Sequence, residues 1–197
     1  MTTSKARHLI LASSSPFREE LLQRLKLPFT SISPEINETP LADESIETLV
    51  RRLAEQKARK IAQQNPDAII IGSDQAAVLN GEIIGKPHNH ENAVQQLQAA
   101  SGQCVNFLTS VSVLDARNGK MQTDMVPCSV LFRQLKNDEI ERYLLREQPY
   151  QCAGSFKSEG LGVALFQRLD TVDPTSLIGL PLIRLSQMLK EVGLPVI

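Results

Sequence analysis

"AIIIGSDQAAVLNGEIIGKP", residues 68–87, is the stretch whose reading decides the fold. Residues 68–71 form a short apolar run rich in β-branched side chains, the pattern of a buried strand. Asn80-Gly81 lies between two further apolar runs, and that dipeptide is the strongest short-range signal for a hairpin. A two-residue turn there pairs Leu79 with Glu82, Val78 with Ile83 and Gln75 with Lys86. Asp74 is the next residue along. A carboxylate, an amide and a lysine are therefore expected at one end of the sheet, with Asp74 and Gln75 on opposite faces. The position just beyond a buried strand is where α/β sheets commonly bind ligands.

Working outward toward the N-terminus, Leu9, Ile10 and Leu11 read as another apolar strand, and residues 19–25 as helix. Between them lie Ser13, Ser14, Ser15, Pro16, Phe17 and Arg18. Pro16 suits the first helical position, where an N–H would be orphaned, and Ser15 is then the N-cap. Arg18 falls at the third helical position, where a cation opposes the helix dipole unless an anion is present. Hydroxyls, free N–H groups and a guanidinium together suit a phosphate. The simpler reading keeps Ser15 as a cap alone and pairs Arg18 with Glu19 or Glu20. Phe17 shares a helix face with Leu21 and Leu25, which is also a core pattern.

A loop covers residues 33–43, and a long helix residues 45–64. Its apolar positions keep a 3.6-residue period. Lys57, four residues after Leu53 and four before Ile61, falls inside that apolar stripe. It either snorkels to solvent or points into a cleft toward an acid or anion. Further along, residues 89–100 read as helix, 105–114 and 121–132 as strands joined near Asn118-Gly119, and 138–147 as helix. "CAGSFKSEGLG", residues 152–162, is irregular. Gly179-Leu180-Pro181 opens a last amphipathic helix. Strands and helices alternate without a strict βαβ rhythm, which predicts a mixed α/β sheet, with no linker separating any lobes.

The 197-residue chain carries a net charge of −1 and 42% hydrophobic residues, an ordinary globular composition. There is no basic field for a nucleic-acid polymer. Cys104, Cys128 and Cys152 are odd in number and widely spaced, which fits a reducing cytosol better than a disulfide framework. The N-terminal MTTSKAR leads into a run too short for a signal segment or membrane span. A soluble cytoplasmic protein is expected, with no membrane partner. His88-x-His90 lacks zinc spacing, and neither a P-loop nor a GxSxG elbow is present. The candidate cations, hydroxyls and carboxylates suit a polyphosphate with a divalent metal.

"LASSSPFREELL", the acids of residues 35–38, "RLAEQKA", "IIIGSDQ", "GKP" and "GLP" together resemble the Maf family of nucleotide pyrophosphatases over nearly the whole chain. "GSDQ", "CAGSFKSEG" and the aromatic after Ser-Pro resemble the subfamily that hydrolyses 7-methyl-GTP rather than the sister group acting on dTTP and UTP. The resemblance implies one Maf-like domain over residues 1–197. Its fold is a mixed twisted sheet with flanking helices, two lobes sharing chain crossings around a deep cleft, similar to inosine triphosphate pyrophosphatases. It implies hydrolysis between the α- and β-phosphates with a divalent cation, magnesium or manganese. By motif, Asp74 is the proton acceptor. Ser13, Ser15, Arg18, Glu38, Lys57 and Lys86 take phosphate- and metal-handling positions, with Glu38 and Asp74 as metal ligands. Phe17, Gln75 and Glu159 take specificity positions. An aromatic face attracts the cationic N7-methylguanine ring by roughly 0.5–2 kcal/mol, and Glu159 suits its N1–H and exocyclic amine. A homodimer is a candidate assembly. A broader pyrophosphatase for dTTP, UTP or modified nucleotides, and a nucleotide-sensing division regulator without turnover, are the competing readings.

Overall fold

The computed structural model describes residues 7–197. The first six residues, read above with the N-terminal run, lie outside the described residues. The strands are β1 (Leu9–Ala12), β2 (Phe29–Ser31), β3 (Ile69–Leu79), β4 (Glu82–Ile84), β5 (Cys104–Asp115), β6 (Lys120–Phe132) and β7 (Phe166–Thr171). The helices are α1 (Pro16–Gln23), α2 (Ile46–Ala62), α3 (His90–Ala100), α4 (Asn137–Glu147) and α5 (Leu182–Glu191). One mixed sheet runs β2-β1-β3-β5-β6-β7, with β4 pairing β3 off that path. The pairs of β1 with β2 and β3 are parallel; the others are antiparallel.

The unbroken apolar run of β1 follows from its central place, because both faces are covered. Leu9 and Leu11 pack with Ile69, Ile71, Leu21 of α1 and Leu185, Met188 and Leu189 of α5. Ile10 and Ala12 face the other way, onto Ile70 and onto Ala58 and Ile61 of α2. The distal half of the same sheet carries a separate core. Ala77, Phe107, Val130 and Phe132 pack there against Leu97 of α3 and Ile140 and Leu144 of α4. Two packed bodies thus share the long strands β3, β5 and β6.

Most elements follow the sequence reading. Pro16 opens α1 with Ser15 as its cap, Ser45 caps α2 and Asn89 caps α3. Asn80-Gly81 turns the β3–β4 hairpin with Leu79 opposite Glu82 and Val78 opposite Ile83, both turn residues at positive φ. The short edge strands β2 and β7 are additional to the sequence reading. Only one of three residues in β2 and two of six in β7 are even half-buried, so neither carries the apolar signature of a strand.

Two expectations are corrected. Gln75 does not face Lys86: the ladder ends at the Ala77–Ile84 pair. Pro87 has no N–H to extend it, and Gly85 lies outside the strand. Nor does Asp74 lie beyond the end of its strand. It sits in the middle of β3, and the strand that ends beside it is the parallel neighbour β1.

Candidate active site

The site begins with a gap in the sheet. β1 stops at Ala12, opposite Gly72, and β4 starts pairing at Ala77. Because β5 occupies the other edge of β3 along its length, β1 and β4 share one edge and leave residues 73–76 open between them. A cavity of about 690 Å³ lies over that gap. Alternation sends Asp74 toward α2 and Gln75 toward the opposite layer, yet both line the cavity because no strand separates them from it.

Gly72 sets the spacing on the α2 side. A Cβ there would lie 2.0 Å from the Ala54 carbonyl oxygen, so only glycine lets α2 sit this close to β3. Lys57, on the same helix, is buried rather than snorkelled. Its Nζ donates to Asp74 Oδ1 at 2.6 Å and lies 2.7 Å from Glu38 Oε1. The side chains of Lys57 and Asp74 are 7% and 13% exposed, whereas Glu38 is 58% exposed on its loop. A buried ammonium is tolerated only when paired and hydrogen-bonded, and two carboxylates do that here. Asp74 Oδ2 has no protein hydrogen bond among the described residues. The Glu38 loop is tied back by Arg52, whose Nη2 donates to the Thr39 carbonyl and whose guanidinium pairs with Glu44 at 2.6 Å.

The serine turn closes the next side. Ser15 Oγ accepts from the Arg18 N–H, and Ser13 Oγ accepts from the Ser15 N–H at 3.0 Å. Arg18 contacts neither Glu19 nor Glu20. Its Nε donates to the Gly179 carbonyl at 2.8 Å, and its terminal nitrogens have no protein partner among the described residues. Burial lowers the Arg18 pKa while the charges of Asp74 and Glu38 raise it. Lys86 enters from the rim, exposed and without an ion pair among the described residues.

The opposite end is built differently. Gln75 Nε2 donates to Thr109 Oγ1 at 2.9 Å and to the carbonyls of Ser176 and Leu177 at 2.8 and 3.1 Å. Those acceptors fix which way the amide faces and leave its carbonyl oxygen without a protein donor among the described residues. Phe17 is half-buried and lines the cavity instead of joining the core beneath α1. Phe107 and Phe156, in edge-to-face contact at 5.4 Å, form an apolar floor. Glu159 stands exposed at the rim and accepts from the Ser158 hydroxyl at 3.2 Å. Burial pushes the Cys152 thiol up to about 11, so it is a wall residue and not a thiolate nucleophile.

All ten side chains singled out from the sequence, Lys86 and Glu159 included, border this one cavity. The sequence reading missed the Phe107–Phe156 floor and the carbonyls of Ser176, Leu177 and Gly179. Only the "GLP" tripeptide hinted at the latter. Among the described residues no group of three or more His, Cys, Asp or Glu converges as a ready metal cage, and no helix is long and apolar enough to cross a membrane.

Residues 8–192 match the family model described as Maf-like protein. The chain belongs to the Maf family. It is 56% identical over 189 residues to a Nitrosococcus oceani protein named 7-methyl-GTP pyrophosphatase, covering 96% of this chain and 95% of that one. Proteins of the same name from Pseudomonas savastanoi pv. phaseolicola and Pseudomonas aeruginosa are 57% and 54% identical, each covering 95% of this chain and 98% of theirs. Among solved structures, a HAM1 protein from Coxiella burnetii superposes with a TM-score of 0.52 at 13% identity, over 94% of this chain and 100% of that one. That likeness concerns the fold alone.

Proposed function

We propose that this Maf protein is a nucleoside triphosphate pyrophosphatase that converts 7-methyl-GTP to 7-methyl-GMP and pyrophosphate. The observation that carries the reading is the Lys57 ammonium held between Asp74 and Glu38 at the base of a cleft whose next wall is the serine turn and Arg18. The names and the 54–57% identity of the relatives described above support the choice of base.

The triphosphate lies along the serine turn, with Arg18, Lys57 and Lys86 matching its charge. Arg18 offers its terminal nitrogens as a bidentate fork, and Lys86, having no ion pair among the described residues, turns inward on binding. Asp74 Oδ2 takes the proton of a water that attacks the α-phosphorus. The bond from that phosphorus to the α–β bridging oxygen breaks, and pyrophosphate leaves with the electron pair. Lys57 holds Asp74 in place through Oδ1, so the base is oriented before substrate arrives. Positioning and preorganised charge supply most of the acceleration.

Glu38 and Asp74 also fit a hard divalent cation. Both are carboxylates, both already converge on one positive charge, and Mg²⁺ typically uses one or two carboxylates plus substrate phosphates rather than a complete protein cage. When bound, magnesium or manganese would supply charge neutralisation on the phosphates. At the other end, Phe17 stacks on the cationic methylguanine ring. The free carbonyl oxygen of Gln75 and the Glu159 carboxylate accept its N–H groups. A cytosolic location belongs to the same reading, supported by three free cysteines.

The test is pyrophosphate release from 7-methyl-GTP, GTP, dTTP and UTP, each with Mg²⁺, with Mn²⁺ and with chelator. A kcat/KM for 7-methyl-GTP well above the other three supports the reading. Equal rates on all four would favour a broad pyrophosphatase. Tight binding without turnover would favour a sensor.

A further inference from the structure

One part of the cleft wall, which lines it at Leu177 and Ile178, also acts on its neighbours through its backbone. Residues 173–181 form a turn between β7 and α5, and three of its backbone carbonyls accept bonds from side chains of the cleft wall. The Ser176 oxygen accepts from Gln75 Nε2 and from Thr109 Oγ1, at 2.8 and 2.9 Å. The Leu177 oxygen takes the second Gln75 bond at 3.1 Å. The Gly179 oxygen accepts from Arg18 Nε at 2.8 Å and from the Ser73 hydroxyl at 2.9 Å. One turn thus orients both the amide at the base end and the guanidinium at the phosphate end.

A carboxylate outside the cleft holds this turn in shape. Asp173 is 1% exposed. Its Oδ1 accepts from the Thr175 N–H at 3.0 Å and the Thr175 hydroxyl at 2.6 Å, and its Oδ2 accepts from the Ile183 N–H at 2.8 Å. The Thr175 hydroxyl accepts in turn from the Leu182 N–H at 2.8 Å. Both ends of the turn are therefore locked to the first turn of α5, which is fixed by its own buried Leu182, Leu185 and Leu189. Gly179 sits at φ +121°, in the region that favours glycine, and its Cα faces the Arg18 side chain.

We infer that Asp173 is a positioning residue for both substrate ends: through the Thr175 hydroxyl it sets the carbonyls that aim Gln75 and Arg18 into the cleft. The inference rests on the proposed 7-methyl-GTP reading for what lies at each end. It makes Asp173 and Thr175 determinants of base selectivity, although neither side chain lines the cavity.

The test compares Asp173→Asn, Thr175→Val and Thr175→Ser by kcat/KM on 7-methyl-GTP and on GTP, alongside melting temperature and circular dichroism. Asp173→Asn replaces an acceptor by an amide donor that must face either Thr175 or the Ile183 N–H. Thr175→Val removes the hydroxyl at near-constant volume, and Thr175→Ser restores it. A misplacement of about 1 Å costs ~100-fold, so kcat/KM for 7-methyl-GTP should fall by about that factor in Asp173→Asn. The ratio of 7-methyl-GTP to GTP should fall about tenfold in Asp173→Asn and Thr175→Val, and recover in Thr175→Ser. A merely structural role would lower the melting temperature and both substrates alike. An unchanged ratio in folded Thr175→Val overturns the inference. Failure of the wild type to prefer 7-methyl-GTP instead overturns the substrate reading; the positioning role then stands if Thr175→Val lowers kcat/KM on whichever nucleotide is turned over at unchanged melting temperature and Thr175→Ser restores it, and falls otherwise.

Discussion

The two ends of the cleft are made by different means. The end built from α1, α2 and β3 presents charged side chains from regular elements, and its main contact is an ion pair between residues seventeen apart in the chain. The end built around Gln75 and Phe156 rests on irregular chain: the 148–165 segment and the 173–181 turn. Its key contacts join residues about a hundred positions apart, side chain to backbone. On the proposed reading, the chemistry common to any nucleotide falls on the end built from regular elements. On that reading, base selectivity falls on the end whose supports, the carbonyls behind Gln75 and the segment carrying Phe156 and Glu159, are loops, which tolerate change at lower cost to the core.

The comparison predicts that damage to the end built from regular elements abolishes turnover for every nucleotide. Asp74→Asn is the strongest case. Loss of a positioned base typically costs 10²- to 10⁴-fold, so kcat should fall by about that range on all substrates, with unchanged circular dichroism. Wild-type turnover in that variant would remove both the base and the metal-ligand role of Asp74.

Lys57→Met should be nearly as inactive and should also unfold at lower urea, because it leaves Asp74 buried without its partner; breaking a buried pair costs about 3–5 kcal/mol. The double variant Lys57→Met with Asp74→Leu should recover most of that stability while staying inactive. A double variant no more stable than Lys57→Met would show that the pair is not the buried liability its 7% and 13% exposures imply.

Gly72→Ala probes the spacing instead of the charges. Its Cβ would force α2 away from β3. Overpacking of this kind costs about 1–3 kcal/mol, and lengthening the Lys57–Asp74 contact should lower kcat with little change in base preference.

Phe17→Ala belongs to the selective end and should behave in the opposite way. Loss of a cation–π contact of about 0.5–2 kcal/mol should raise KM for 7-methyl-GTP several-fold and leave GTP nearly unaffected.

The smallest effect is expected at Glu44, which anchors the Glu38 loop. Its bond to Arg52 lowers its pKa from 4.5 to about 2. A carboxyl whose folded pKa is depressed stabilises the fold above its unfolded pKa and ceases to do so as pH falls through the folded value. Glu44→Gln should therefore melt below wild type at pH 7, and the difference should shrink between about pH 4.5 and pH 2. A gap that persists at pH 2 would rule out the ion pair as its source.

How much of this was legible follows from the same contrast. The β1–α1 turn, the apolar stripe containing Lys57 and the Asn80-Gly81 hairpin are local patterns, and each formed where the sequence places it. The exposed strands β2 and β7 carry no period-2 apolar signal, because edge strands are held by a neighbour's backbone and bury little. Gln75 was visible as a residue, but its anchoring was not, since its partners are carbonyl oxygens that every residue has. Asp173 gave no signal at all: an aspartate before Pro-Thr reads as an ordinary turn.

By itself the sequence determined the helices, the buried strands, the family and the set of ionisable groups brought to the cleft, because those depend on side-chain type and short-range period. Only the tertiary structure decided that β1 stops before β4 begins. That open edge lets Asp74 and Gln75, on opposite faces of one strand, serve a single cavity. It also decided that Lys57 is buried between two acids, since burial and partnership depend on what packs from elsewhere in the chain.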